Sequence, residues 1–192
     1  MLLDVPRLNA LIPALPVPIS DYHQDRLRRD ISAFLDNPSE KRSEFVAVIL
    51  QRDCGFDRPV GTWSRGSEVD SSWTQRGLGG EAIRPRHLWR GSSGTILPVF
   101  IDQERRLGIG RGRRASSQVL QWLRKSNQPL ALLTNGHQWR LIFAGLDYSA
   151  YCEWDVDQWL ASGQTTQEFD GFRALFNRFL SRIGAEKEWL GS

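Results

Sequence analysis

The fold is decided by Pro129-Leu-Ala-Leu-Leu-Thr-Asn-Gly-His-Gln-Trp-Arg-Leu-Ile-Phe143. The apolar residues 130–133 predict a buried strand, and residues 139–143 predict a second one. Between them, Asn135-Gly136 predicts a two-residue turn, because both residues tolerate the positive φ that a tight hairpin needs. The stretch therefore predicts an antiparallel hairpin within a sheet.

Strand and helix patterns alternate around this hairpin. Residues 95–101 predict a central strand, residues 115–125 a helix with one apolar face, and residues 148–154 a further strand. An amphipathic helix is predicted over residues 169–183. This order predicts an α/β fold, in which helix 115–125 crosses one face of a mixed sheet of four or five strands.

Two more helices are predicted nearer the N-terminus. The first begins at Asp21 as its N-cap, and the second follows Pro38-Ser39 and ends before Gly55. Residues 1–20 contain several prolines that exclude a helix, so they predict an extended, proline-rich arm. We expect residues 21–192 to form a single domain.

Composition excludes several classes of protein. Hydrophobic residues make up 40% of the chain and it holds eight tryptophans, which excludes a disordered chain. The two cysteines have neither CxxC spacing nor a nearby His cluster, so we expect no metal and a reducing cytoplasm. No apolar run is long enough to span a membrane, and no signal peptide is predicted.

A short basic segment stands out although the net charge is only +3. Residues 105–114 contain three glycines, no acid and five arginines, namely Arg105, Arg106, Arg111, Arg113 and Arg114. Glycines allow a close approach of the backbone to phosphate, and guanidinium groups bind phosphate through paired donors. The glycine spacing does not fit a dinucleotide-binding turn, so we expect no nucleotide cofactor. DNA is the expected ligand, and a solvated loop without a ligand is the alternative.

Four further motifs occur in the order found in a family of restriction enzymes. They are Ile83-Arg-Pro-Arg86, Leu97-Pro-Val-Phe-Ile101, Gln118-x-x-x-Trp122 and Thr134-Asn-Gly136 followed by Trp139. With residues 40–50 as an opening helix, the chain resembles the nuclease-like N-terminal domain of type I restriction subunits. It is also similar to the N-terminal region of large Eco57I-like restriction-modification methylases, including those of phage-defence systems such as DISARM. The resemblance covers roughly residues 39–143 and implies a restriction-endonuclease-like mixed sheet flanked by helices, the PD-(D/E)xK fold.

The chain departs from this family at the residues that bind metal. Where the family has Arg-Pro-Asp, the acid is replaced by Arg86, and no Glu-x-Lys follows in the strand at residues 97–101. The nearest acids are Asp102 and Glu104. Because DNA hydrolysis in this fold needs carboxylates to hold a divalent metal, we expect a degenerate nuclease site of Arg86, Asp102, Glu104 and Gln118.

The resemblance and these departures together predict a noncatalytic, DNA-binding N-terminal module of a restriction or phage-defence methylase. DNA and a methylase domain in the same natural chain are the expected partners, without cofactor or membrane. Two alternatives stay open. One is an active metal-dependent endonuclease that uses Asp102 and Glu104, and the other is a protein-interaction module whose proline-rich arm and tryptophan-rich surface dock on the rest of the enzyme.

Overall fold

The computed structural model describes residues 19–56, 61–91, 94–104, 106–108 and 112–182, with the side chains of 112, 113 and 177–182 left aside. Nearly all of the expected proline-rich arm lies outside these residues. The chain divides into two compact units, residues 61–90 with 94–156, and residues 1–60 with 91–93 and 157–192. The expectation of a single domain over residues 21–192 stays a prediction.

The larger sheet is mixed and, among the described residues, has six strands. In chain order they are β1 (Gly61–Arg65), β4 (His87–Gly91), β5 (Ile96–Ile101), β6 (Leu130–Thr134), β7 (Gln138–Ala144) and β8 (Ser149–Asp155), which is also their order across the sheet. Two short strands, β2 (Gln75–Arg76) and β3 (Ala82–Ile83), pair separately. The prediction of four or five strands was therefore too low, because the segment at residues 61–65 pairs at the edge of the sheet.

The middle of the sheet depends on one crossover. β5 pairs with β6 in parallel, while β4 with β5, β6 with β7, and β7 with β8 are antiparallel. A parallel pair needs a long connection, and here it contains helix α3 (Gly112–Ser126). Val119, Trp122 and Leu123 of α3 share a buried cluster with Phe100 of β5 and Leu133 of β6. The predicted helix on one face of a mixed α/β sheet is thus confirmed.

The hairpin of β6 and β7 is also confirmed, but its turn differs in detail. Thr134 pairs with Trp139, and the backbone N–H of Asn135 donates to the carbonyl of Gln138 at 3.3 Å. The tight turn is therefore Gly136-His137, one residue later than predicted. Gly136 has φ +89°, whereas Asn135 keeps a negative φ and caps the turn with its side chain. Side-chain acceptors on Asn favour this capping role as readily as a left-handed backbone.

The other unit contains helices α1 (Asp21–Asp36), α2 (Pro38–Val48) and α4 (Gln167–Arg182). A π-helical turn, Ile49–Asp53, extends α2, and a small hairpin is formed by β9 (Leu160–Ala161) and β10 (Gln164–Thr165). The predicted N-cap Asp21 is wrong by one residue. Ser20 has the extended backbone of a cap and its hydroxyl accepts from the His23 backbone N–H, so Asp21 becomes the first helical residue.

Aromatic side chains hold this unit together. The rings of Phe34 in α1 and Phe45 in α2 stack with centroids 4.7 Å apart. Trp159 packs on Phe169 and Phe172 of α4 with centroids 4.8 and 4.9 Å away. Aromatic rings packed at such distances stabilise the fold by more than the burial of their apolar surface alone.

The tryptophans of both units are buried or partly buried wherever the structure describes them. Trp122, for example, packs in the core beneath α3, and Trp159 packs beside α4. Among the described tryptophans, Trp63, Trp73 and Trp154 are partly exposed, so a tryptophan-rich docking surface stays a prediction.

Candidate functional site

A cavity of about 360 Å³ opens where β5 ends, beside the first turns of α3. Its base consists of buried apolar side chains from the core, and its rim carries charged and amide groups. The residues that matter for chemistry on the rim are Arg84, Arg86, Asp102 and Gln118. All of them belong to the unit that contains the six-stranded sheet. An apolar base with a few convergent polar groups is the usual form of a ligand pocket.

The two arginines reach the cavity because the chain from β3 to β4 is extended. Side chains alternate from one side to the other in such a segment, and here Ile83, Pro85 and His87 are buried while Arg84 and Arg86 are exposed. The segment is tied into the sheet, since the Arg86 backbone N–H donates to the Val99 carbonyl at 2.8 Å. Both guanidinium groups are therefore presented on one side of the strand pair.

These arginines differ in what they contact. The Arg84 guanidinium donates to the carbonyl oxygens of Val69 and Gly66, which fixes its position. Among the described residues, the Arg86 side chain has neither a hydrogen-bond partner nor an ion-pair partner. Arg86 is therefore the cation at this rim that is available to an incoming anion.

Asp102 is held at the end of β5, and one of its two carboxylate oxygens lacks a hydrogen-bond donor among the described residues. Its backbone N–H donates to the Thr134 carbonyl of β6 at 2.8 Å, so the end of the parallel pair fixes its position. Its Oδ1 accepts from the backbone N–H of Gln103 at 2.9 Å. Oδ2 is buried and has no donor among the described residues. A buried acceptor without a donor costs stability, so the fold at the end of β5 carries an unfavourable feature.

Gln118 connects the cavity to an acid outside it. Its Nε2 donates to Glu81 Oε1 at 2.9 Å, and the Arg114 guanidinium lies 3.8 Å from the same oxygen. The hydrogen bond from Gln118, foremost among several, lowers the pKa of the Glu81 carboxyl below its ordinary value. Glu81 is thus ionised at neutral pH and orients the amide of Gln118 at the rim.

A second opening of about 320 Å³ adjoins the first. It is lined by Asp102, Glu104, Arg114, Ala115 and Gln118. Two carboxylates and one guanidinium line it, so this opening does not attract anions by charge alone. Its position extends the polar rim toward the start of α3.

The β6–β7 hairpin supports the loop that follows Asp102. Asn135 Nδ2 donates to the Glu104 carbonyl at 3.1 Å, and Gln138 Oε1 accepts from the Leu107 backbone N–H at 2.8 Å. The Arg140 guanidinium donates to Ser116 Oγ at 2.9 Å and pairs with Glu153. The motif Thr-Asn-Gly-x-x-Trp-Arg therefore holds both the loop and the beginning of α3.

The structure brings together three of the four residues expected at the degenerate nuclease site, Arg86, Asp102 and Gln118, around the larger cavity. The fourth, Glu104, lines the adjoining opening. Of the predicted DNA-binding arginines, Arg114 lines that opening and Arg106 is exposed. Arg105, Arg111 and the side chain of Arg113 lie outside the described residues.

Sequence reasoning missed Glu81 and Arg84. Arg84 carries a signal that could have found it, since it lies two residues before Arg86 in an extended segment and must share its side. Glu81 has no such signal, because its contact with Gln118 joins residues 37 positions apart in the chain.

No family model, curated protein or solved structure matches this chain. Within the described residues, no group of three or more His, Cys, Asp or Glu side chains could hold a metal ion. None of the helices described is long and apolar enough to cross a membrane. The function must therefore be argued from the cavity and its surroundings.

Proposed function

We propose that the sheet-containing unit is a restriction-endonuclease-like shell that binds DNA without cutting it. It serves as the noncatalytic N-terminal module of a restriction-modification or phage-defence methylase. The methylase context rests on the family resemblance of the four motifs. The DNA-binding role rests on the cavity at the end of β5.

The topology supports the nuclease-like fold. The resemblance leads us to expect a mixed sheet flanked by helices, and the order of the elements predicts that one helix crosses a face of this sheet. β4 and β5 are antiparallel, α3 follows, and β6 pairs with β5 in parallel. The positions that correspond to the family's motifs, just before β4, along β5 and in the first half of α3, all contribute residues to the lining of one cavity.

The observation that carries the proposal is Arg86 in that cavity, beside Asp102 and Gln118. In the metal-dependent enzymes of this fold, acids hold a cation that in turn contacts the scissile phosphate. Arg86 brings a positive charge to this place directly. A guanidinium binds a phosphate through two parallel hydrogen bonds, but it cannot activate water for hydrolysis as a metal does. Binding is thus retained while the chemistry is lost.

Charge around the cavity limits how strong such binding can be. Arg84 is occupied by backbone carbonyls, and Arg114 faces Glu81 at 3.8 Å. Asp102 and Glu104 oppose phosphate nearby. A single available guanidinium with few other cations near it predicts weak binding. This binding should fall as salt concentration rises, by about 0.9 in the slope of log affinity against log salt for each phosphate contact, because counterions are released from the DNA.

The test is a gel-shift titration of a short duplex at two salt concentrations with the Arg86→Ala variant. We expect affinity to fall about tenfold at the lower salt, as one charge-assisted contact is lost. The slope of log affinity against log salt should become shallower by about 0.9. Arg124→Ala is the matched control, because Arg124 is an exposed arginine near the other end of α3. Equal losses in both variants would show that Arg86 is not a specific phosphate contact.

A second candidate function is an active metal-dependent endonuclease. It is favoured by the shared position of Asp102 and Glu104, which line the same opening beside Gln118. Two carboxylates there could bind Mg²⁺ or Mn²⁺. Incubation of the protein with supercoiled plasmid and either metal separates the two candidates. Nicking that the Asp102→Ala variant lacks would favour the nuclease over the noncatalytic module.

The third candidate, a protein-interaction module, would dock through the described tryptophans that are partly exposed, Trp63, Trp73 and Trp154, since the others described are buried. It becomes the better account if neither the parent nor any variant binds DNA at low salt.

A further inference from the structure

We infer that β8, at one edge of the six-stranded sheet, is a docking site for an extended segment of another protein in which basic and apolar residues alternate. Such a segment adds to the sheet as a further strand beside β8. The inference is independent of the proposed DNA binding, because it concerns the edge of the sheet and not the cavity at the end of β5.

The backbone of β8 has hydrogen-bonding groups on the side away from β7. At the two ends of the β7–β8 pair, the Gly145 N–H donates to the Tyr148 carbonyl at 2.9 Å and the Val156 N–H donates to the His137 carbonyl at 2.8 Å. Hydrogen-bonded and non-hydrogen-bonded pairs alternate along an antiparallel ladder. The even-numbered residues of β8 therefore bond β7. The N–H and carbonyl groups of the odd-numbered residues point outward.

The outer edge of β8 is accessible to a partner strand. β8 is the last strand in the order of the sheet, so none of the described strands pairs with its outer side. Proteins usually protect such edges with proline, lysine, a bulge or a very short strand. β8 is seven residues long, pairs with β7 along its whole length and contains neither proline nor lysine. Tyr151, at its middle, is 62% exposed.

The two faces of β8 determine which side chains a partner strand must carry. Successive side chains of a strand lie on opposite faces of the sheet. One face is aromatic and acidic, with Tyr151, Glu153 and Asp155. The other face is apolar and partly buried, with Ala150, Cys152 and Trp154. A complementary strand therefore alternates basic residues with apolar ones.

The acids favour a basic partner over a second copy of β8. The chain has no Lys or Arg between Arg140 and Arg173, and Arg140 pairs with only one of the acids of β8, Glu153. Two copies of β8 would bring four acids into one strand pair, since each contributes Glu153 and Asp155. Like charges on paired strands repel, whereas opposite charges stabilise the pair. At the other edge of the sheet, β1 carries Arg65 and no acid, so charge directs a basic segment to β8.

A peptide of the sequence Thr-Lys-Val-Lys-Val-Lys-Thr fits this edge when it runs antiparallel to β8. Its three lysines then lie opposite Asp155, Glu153 and Tyr151, where the last of them gains a cation–π contact. Its two valines lie opposite Trp154 and Cys152. In this register the N–H groups of the lysines point toward β8, and those of the valines point away from it.

The first test uses this peptide, labelled with fluorescein, in anisotropy titrations with the full chain at low salt. Two derivatives carry one backbone N-methyl group each, at the central lysine or at a neighbouring valine. They have the same side chains and charge, and only the first loses an N–H that bonds β8. We expect methylation at the lysine to weaken binding about tenfold or more, and methylation at the valine to change it less than about twofold.

The second test concerns charge. A peptide with glutamate in place of each lysine should bind at least about tenfold more weakly than the parent peptide. The Asp155→Lys variant should also lose about tenfold in affinity for the lysine peptide. Asp36→Lys, the same reversal at an exposed position in α1, is the matched control and should bind as the parent does. Circular dichroism checks that both variants are folded.

Three outcomes would overturn the inference. Equal affinity for the two N-methylated peptides would show that the peptide does not add to β8 as a strand. Equal affinity for the lysine and glutamate peptides, or an unchanged affinity in Asp155→Lys, would show that the acids do not select the partner. A dimer in analytical ultracentrifugation that the lysine peptide dissociates would make a second copy of the chain the occupant of this edge instead.

Discussion

Gln118 has two roles at the residue scale, because it borders the cavity and holds Glu81. Its amide lies between the rim of the cavity and an acid that does not line it. A glutamine cannot ionise, so it links the two without adding charge. The placement of the Glu81 charge next to the rim therefore depends on a neutral side chain, that of Gln118.

Replacing Gln118 with Leu should raise the pKa of Glu81 toward its ordinary value, because the hydrogen bond that contributes most to lowering it is removed. A carboxyl with a lowered folded-state pKa stabilises the fold above its unfolded pKa, and this stabilisation is lost as pH falls through the folded value. The variant should lose part of that acid sensitivity. Carbon-13 NMR titration of the Glu81 carboxyl measures the shift directly. Gln128→Leu, the same change just after α3, should leave the pKa of Glu81 unchanged.

The sequence could predict those parts of the site that follow from the order of strands and helices, but not the contacts that side chains make with loops. Arg86 and Asp102 flank neighbouring strands, and Gln118 lies in the crossover helix that follows them, so their convergence follows from strand order alone. The hydrogen bond from Gln118 to Glu81 and those from Arg84 to Gly66 and Val69 join side chains to loops. Loop positions depend on packing that a periodic pattern does not encode, so these contacts could not be predicted.

At the scale of elements, the β6–β7 hairpin supports the loop beside the cavity. Its side chains bond the backbone of Glu104 and Leu107, and its Arg140 bonds Ser116 at the start of α3. The same support explains why the turn prediction was off by one residue. Asn135 is fully buried and uses its side chain as a cap and a brace, rather than its backbone as a turn.

The Asn135→Ala variant should lower the free energy of unfolding by about 1–3 kcal/mol, because buried backbone groups at the turn and at Glu104 lose their partners. Urea denaturation measures this loss. Hydrogen exchange gives the location, since the amides of His137 and Gln138 bond the Asn135 side chain and should exchange faster. The Ala144 amide, which bonds Pro129 at the other end of the hairpin, is the internal reference. Unchanged exchange at the turn would mean that Asn135 is not the brace.

At the scale of the whole molecule, the division into two compact units differs from the single nuclease-like core that the resemblance implies. The resemblance places residues 40–50 in the nuclease-like core, as its opening helix. In the structure these residues, which form most of α2, belong to the other unit. The core cluster beneath α3 draws all of its buried members from residues 83–142. The sheet-containing unit therefore holds a hydrophobic core of its own.

A fragment of residues 61–156 should fold without the rest of the chain. A unit with its own contiguous core is expected to fold independently, and the cluster of Phe100, Trp122 and Leu133 lies wholly inside this fragment. Cooperative urea unfolding and a dispersed amide NMR spectrum are the expected results, together with salt-sensitive DNA binding that Arg86→Ala weakens. A collapsed or unfolded fragment would instead mean that α2 completes the core, in accordance with the expectation of a single domain over residues 21–192. A folded fragment that does not bind DNA would move the binding surface to the other unit and leave Arg86 without the role proposed for it.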